Sequence, residues 1–487
     1  MSSLSEGEVA STEGNARAPA ADQAAPTGVG YARRLGLFSG TMLVVGGIVG
    51  SGIFLNPAIV AQRVHTPALT MTAWGLGAAI ALVGAFVFAE LGARRPEAGG
   101  GYAYLRDAFG PLPAFLYAWS LLLVIATGAT AAVAVTFASY AAPLLGLPGA
   151  AARTALAVGA IALLSLVNVV GVSPGAVTQN VLTILKLAAI AALVVVGLVA
   201  QAATHAVAAA PAAAAAAPVG AVGVAAALGT ALVPVLFAYG GWQQTNFVAE
   251  EIVAPERNLP RALVLGVLVV VAAYLLVNVA YLRALGAAGL AASAAPAADT
   301  MAAYLGGPGR LLITLGIVVS TLGFLDLVIL VSPRVYQAMA RDGLFFRSFA
   351  TLHPRFRTPV AAIVAQGAWA VVLVFSGSYG QLLDYVTFAD WIFFGATAAT
   401  LFVFRRRDGT GRPGAASALA RARLPLYPWS LLFFVLAAAY VVLGAVVSNP
   451  GNALWGTLLV GAGVPVYWFW SGGRGRRSPR ADRGERA

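Results

Sequence analysis

Apolar residues run along this chain in long stretches, separated by short connections rich in arginine, glycine and proline. A helix needs about 20 consecutive apolar residues to cross the hydrocarbon core of a bilayer. The pattern predicts twelve such spans, over 37–62, 68–93, 112–143, 153–172, 177–200, 222–248, 260–285, 309–340, 358–376, 380–404, 426–448 and 452–471. The fold class this implies is an all-α polytopic membrane protein. Two of the spans are interrupted by clustered glycines, one in each half of the chain. The first interruption is Gly46-Gly47-Ile48-Val49-Gly50-Ser51-Gly52-Ile53-Phe54 and the second Phe237-Ala238-Tyr239-Gly240-Gly241-Trp242.

A glycine inside a helix costs about 1 kcal/mol relative to alanine. In lipid, a broken helix also frees backbone groups that must find partners. Glycines can instead let two helices pack closely. Paired interruptions in matching halves point further, to a solute site built from unwound main chain. The N-terminus of a half-helix carries partial positive charge and suits a carboxylate, whereas C-terminal carbonyls suit an ammonium. Together they would recognise the zwitterion of an α-amino acid. Gly50, Ser51 and Gly52 are candidates for the carboxylate; the carbonyls of Ile48, Phe237 and Ala238 are candidates for the amine. Gly240 leaves room for the substrate's side chain. Phe237 and Trp242 flank the second break, and Phe237 is the favoured lid.

Composition agrees with a membrane protein: 60% of the 487 residues are hydrophobic and 10% charged, against about 25% charged in a soluble domain. The net charge of +12 does not indicate nucleic-acid binding, because the basic residues lie in loops and tails with little aromatic interleaving. There are 0 cysteines, so no disulfide or thiolate chemistry is available. His65, His205 and His353 have no metal-ligand spacing, and no cofactor is expected. Arg63, Arg153, Arg283 and Arg310 fall on one side of the predicted membrane, and all the other loop arginines on the other. By the positive-inside rule the richer side is cytoplasmic, with both termini inside a plasma-type membrane. The expected divisions are a disordered cytoplasmic segment 1–30, a ten-helix core 31–408, a cytoplasmic loop with two further helices 409–471, and a basic tail 472–487. An Ala/Pro stretch over 201–221 reads as an external loop. Trp74, Trp119, Trp429 and Trp468 read as interfacial anchors.

Two ionisable residues sit deep in apolar spans. Lys186, the single lysine, lies about 12 Å from its span's cytoplasmic end at 1.5 Å per residue, far for snorkelling. A mid-bilayer charge costs about 2.5–3.5 kcal/mol on insertion scales, so it normally faces the bundle interior. Asp326 is the second, and it could pair with Lys186, line the solute path or exchange protons. Glu90 and Glu250-Glu251, near cytoplasmic helix ends, could close an inner gate or simply be solvated.

The chain resembles the amino acid–polyamine–organocation superfamily, specifically its L-type amino acid transporter branch. The resemblance rests on four motifs in order: Gly50-Ser51-Gly52-Ile53-Phe54; Ala89-Glu90-Leu91 through Gly99-Gly100-Gly101-Tyr102; Phe237 to Trp242 running into Glu250-Glu251; and Pro333-Arg334 to Asp342-Gly343. It implies five spans plus an inverted five, with two extra helices, and a solute between spans one and six. It also implies a carboxylate site at Ser51 and Gly52, an extracellular gate at Phe237, and a Lys186 that stands where sodium-driven relatives hold the ion. Animal members join a heavy-chain glycoprotein through a cysteine, which this chain lacks.

The function this predicts is sodium-independent transport of small or medium neutral amino acids, by exchange or proton coupling. A cationic amino acid or polyamine exchanger is the first alternative and a non-transporting sensor the second. No paired carboxylates, metal ligands or nucleophile–base arrangement suggests an enzyme.

Overall fold

In the computed structural model, residues 30–200, 220–376, 379–408, 422–448 and 450–472 are described. The segments expected at 1–30, 201–221 and 472–487 fall almost entirely outside them. The helices are α1 (Leu37–Ile48), α2 (Gly52–Val64), α3 (Pro67–Arg94), α4 (Gly101–Phe109), α5 (Pro111–Ser120), α6 (Ala126–Leu144), α7 (Ala150–Val169) and α8 (Val172–Val199). A five-residue π segment, Leu121–Ile125, joins α5 to α6. Then follow α9 (Gly220–Tyr239), a 3-10 helix (Trp242–Glu251), α10 (Pro255–Ala292), α11 (Pro296–Val331), α12 (Pro333–Arg341), α13 (Arg347–Ala350), α14 (Val360–Ser376) and α15 (Tyr379–Asp408). Three more close the described chain: α16 (Trp429–Ser448), α17 (Pro450–Gly461) and α18 (Gly463–Gly472).

Among the described residues 10 helices are long and apolar enough to cross a bilayer, and the bent pair α1–α2 makes up to 11. The protein is therefore an integral, all-helical membrane protein. The difference from twelve lies at the ninth expected span, 358–376, where α14 has 17 residues, short of the usual crossing length of about 20.

Helix α8 illustrates how sequence sets orientation. Its buried residues Gln179, Thr183, Lys186, Ile190, Leu193 and Gly197 recur every three or four positions and form one stripe. Val177, Val181, Ile184, Leu185 and Val195 are exposed on the other face, an apolar surface suited to lipid. The lysine therefore points inward because it shares the stripe with the small and polar residues.

The helices pair across the molecule: α3 packs along α10, α2 on α9, α6 on α11 and α7 on α14. At the end of the bundle beneath α3, the N-terminal arm runs beside the 3-10 helix. Leu35 and Ile252 form a parallel bridge, with the Leu35 amide donating to Glu251 O at 2.9 Å and the Val253 amide to Leu35 O at 2.9 Å.

Candidate functional site

Both predicted interruptions are real breaks. Helix α1 stops at Ile48 and α2 begins at Gly52, the two axes differing by 41°. Val49, at φ −76° and ψ 88°, has left helical geometry. The second break falls between α9 and the 3-10 helix, where Gly241 takes φ 114°. A side chain is strained in that conformation.

The two breaks touch each other through their main chains. A Cβ placed on Gly241 would lie 2.2 Å from Gly47 O, and one on Gly47 would lie 2.9 Å from Gly241 O. Gly240, by contrast, would meet only carbonyls at 3.5 Å. The glycine that the second break demands is thus Gly241 rather than Gly240. Gly52 is also constrained, because its Cβ would lie 3.0 Å from the Cα and Cβ of Ala238.

A cavity of about 80 Å³ opens between the breaks. Its lining includes Ile48, Gly50, Ser51, Gly52, Phe237, Ala238 and Gly240, which brings together every residue expected at a substrate site. Around the amides of Ser51, Gly52 and Ile53, no backbone or side-chain acceptor is found among the described residues. These are three of the orphan donors that any helix start leaves, and Ser51 and Gly52 border the cavity.

The carbonyls are more engaged than expected. The Gly50 amide donates to Ile48 O at 2.9 Å and the Gly240 amide to Phe237 O at 3.3 Å. Tyr274 of α10, which the sequence reading missed, places its hydroxyl 3.1 Å from Ile48 O and 3.4 Å from Ala238 O. One hydroxyl proton serves one of these carbonyls at a time. Nothing in the apolar run around Tyr274 signals that role.

Lys186 is fully buried and reaches the first break from α8. Its Nζ donates to Gly46 O at 3.1 Å and to Val49 O at 2.8 Å. From α11, Ser320 Oγ lies 3.3 Å from Val49 O and 3.4 Å from Gly50 O. A Cβ on Gly323 of α11 would lie 2.9 Å from Lys186 Cε, so that glycine makes room for the lysine. Charge and hydroxyl together give donors to one carbonyl of the last turn of α1 and to two in the break, the partners a broken helix needs in lipid. Asp326 does not join them. It accepts from Asn168 Nδ2 at 2.8 Å, its other oxygen has no partner, and it makes no ion pair with Lys186 within 4.0 Å.

Trp242 lies outside the cavity. It is 0% exposed and packs against Phe394 and Phe434, filling the notch beside Gly84. Phe237, unlike Trp242, borders the cavity. Trp74 is likewise no interfacial anchor: it is buried against Tyr239 and Tyr274. Trp429 and Trp468 are exposed as expected.

The acidic residues near the helix ends are not simply solvated. Glu90 is buried and accepts from Arg94, Arg405 and the Leu424 amide. Glu251 pairs with buried Arg334 of α12, with Arg334 Nε to Glu251 Oε1 at 2.7 Å. Asp342 accepts from Tyr102 at 2.7 Å and Arg106 at 3.1 Å. Partial burial pulls the Arg106 pKa down, but the carboxylates of Asp107 and Asp342 outweigh it and hold it above the ordinary value.

Four motifs far apart in sequence thus meet in space, the first with the third and the fourth with both the second and the third. A sequence model described as amino acid permease matches residues 35–469. The chain belongs to the amino acid permease family. Within that family this permease is 32% identical to the human b(0,+)-type amino acid transporter 1 over 440 residues, 90% of this chain and 88% of that protein. It is 30% identical to the human cystine/glutamate transporter over 474 residues, 96% of this chain and 92% of that protein. It is 31% identical to the mouse large neutral amino acids transporter small subunit 2, over 91% of this chain and 82% of that protein. These relatives are transporters, and the permease is not an enzyme.

Proposed function

We propose that this permease exchanges amino acids across the cytoplasmic membrane by alternating access, without sodium, with a solute bound between the two breaks. Unpaired amides at Ser51 and Gly52, facing a cavity, carry the reading. They are fixed donors at the positive end of α2, and they suit a carboxylate. The substrate amine faces the carbonyls of Ile48, Phe237 and Ala238, with the Tyr274 hydroxyl able to turn from one to another. A largely apolar wall, with Leu121, Ile125 and Phe324 among its members, suits neutral side chains of small or medium size. Phe237 serves as the lid.

Lys186 supports the reading of sodium independence. Its ammonium occupies the carbonyls of Gly46 and Val49, where a bound cation would otherwise be required. The reciprocal helix pairings support a core of five spans and an inverted five: α2 with α9, α3 with α10, α6 with α11 and α7 with α14 join each span to its counterpart. In that arrangement α14 completes twelve spans, and both termini are cytoplasmic. With 0 cysteines, a heavy-chain partner cannot be held by a disulfide.

Reconstitution tests this directly. Proteoliposomes loaded with unlabelled alanine should accumulate labelled alanine by counterflow, and replacing sodium with choline should leave the rate unchanged. Absence of counterflow with every amino acid tried would reduce the protein to a binder, and a strict sodium requirement would remove Lys186 from its assigned place.

A further inference from the structure

One ionisable side chain borders the cavity among the described lining residues, and it is Asp390 of α15. Its neighbours on that wall are Val386, Trp391 and Phe394. No side chain or amide among the described residues gives it a hydrogen bond or an ion pair. Every other deep acid described above has a donor: Asp326 has Asn168, Glu90 has Arg94 and Arg405, and Glu251 has Arg334.

Position matters as much as isolation. Helix α15 reaches the cavity from the side of α6 and the π segment, on which it packs. The unpaired amides lie at the start of α2, which packs on α9, α10 and α11 rather than on α15. A solute whose carboxylate sits on Ser51 and Gly52 therefore extends its side chain toward α15. Trp391 and Phe394 supply apolar surface beside the carboxylate, matching the methylene stem of a long side chain. A carboxylate left unpaired in such surroundings is costly, and a cation arriving with the solute offsets that penalty.

We infer that Asp390 forms a second subsite, which pairs with a cationic group on the substrate's side chain, so that arginine- and lysine-like amino acids bind as well as neutral ones. The inference rests on the substrate orientation proposed above. It assigns Asp390 to binding the far end of the solute, separate from the backbone contacts at the breaks.

Arginine and citrulline isolate the charge, because citrulline keeps the length and shape of arginine but ends in a neutral urea. Equilibrium binding to the purified full-length protein should favour arginine by about tenfold, as a partly desolvated ion pair does. Asp390→Asn should bring that ratio to about one while leaving citrulline affinity within about twofold, and Asp390→Glu should retain the preference. Equal affinities in the wild type, or a preference surviving in Asp390→Asn, overturn the inference. So does an Asp390→Asn protein whose arginine preference is intact while the pH dependence of alanine uptake is flattened, since that assigns the carboxylate to protons. Alanine counterflow, run in parallel, keeps the two readings apart. Lost flux with an intact arginine preference sinks transport and leaves the subsite standing.

Discussion

Lys186 settles a local problem before it takes part in any cycle. Without it the Gly46 carbonyl would lose its donor inside the membrane, a loss of about 1–3 kcal/mol when buried, and Val49 O would be left with the Ser320 hydroxyl alone. A lysine inward on α8, with Gly323 opposite to admit its stem, resolves this. Lys186→Ala should therefore slow alanine counterflow by at least about tenfold, while alanine affinity changes by less than about threefold, because the Ser51 and Gly52 amides are untouched. Wild-type turnover in that variant would refute the assignment. The lysine was legible because it is a lone charge in an apolar run. Asp390 satisfies the same test, an ionisable residue ten positions inside the expected span 380–404, and was equally legible. Tyr274 and the positions of Trp74 and Trp242 were not legible. In an apolar helix, composition does not say which aromatic faces a neighbour's carbonyl, the lipid or a cavity.

At the scale of elements, the breaks depend on two glycines from different helices. Gly241→Ala must push a methyl against Gly47 O from a left-handed backbone, and should lower stability by about 1–3 kcal/mol. Gly240→Ala, with only ordinary contacts nearby, should cost less than about 1 kcal/mol. Thermal unfolding in detergent measures both, and equal losses would show that the main-chain contact is not what holds the second break. A large residue at Gly52 is a poor probe of the carboxylate site, because a Cβ there already lies 3.0 Å from Ala238. The glycine clusters announced where the chain would break. They could not announce that the two breaks would lean on each other, since that distance is fixed by the packing of α1 on α10 and α2 on α9.

For the molecule as a whole, ion pairs from three of the four motifs tie helices to one another. Arg334–Glu251 and Arg106–Asp342 tie α12 and the residue after it to the 3-10 helix and to α4, and the Glu90 cluster ties α3 to α15. A buried pair broken on one side leaves an uncompensated charge, a loss of about 3–5 kcal/mol. Glu251→Gln should accordingly lower the unfolding temperature. Adding Arg334→Met should recover part of the loss by removing the stranded guanidinium. A double variant less stable than the single would show that the pair does more than neutralise itself.

The bridge between Leu35 and Ile252 has a practical result. It fastens the N-terminal arm to the segment just beyond the second break, so any swing of that segment during turnover must carry the arm along. Since the chain contains no thiol of its own, one introduced on the arm becomes a unique handle for a fluorescent or spin label. The arm would then report, in real time and from the outside of the bundle, a rearrangement that begins at its centre.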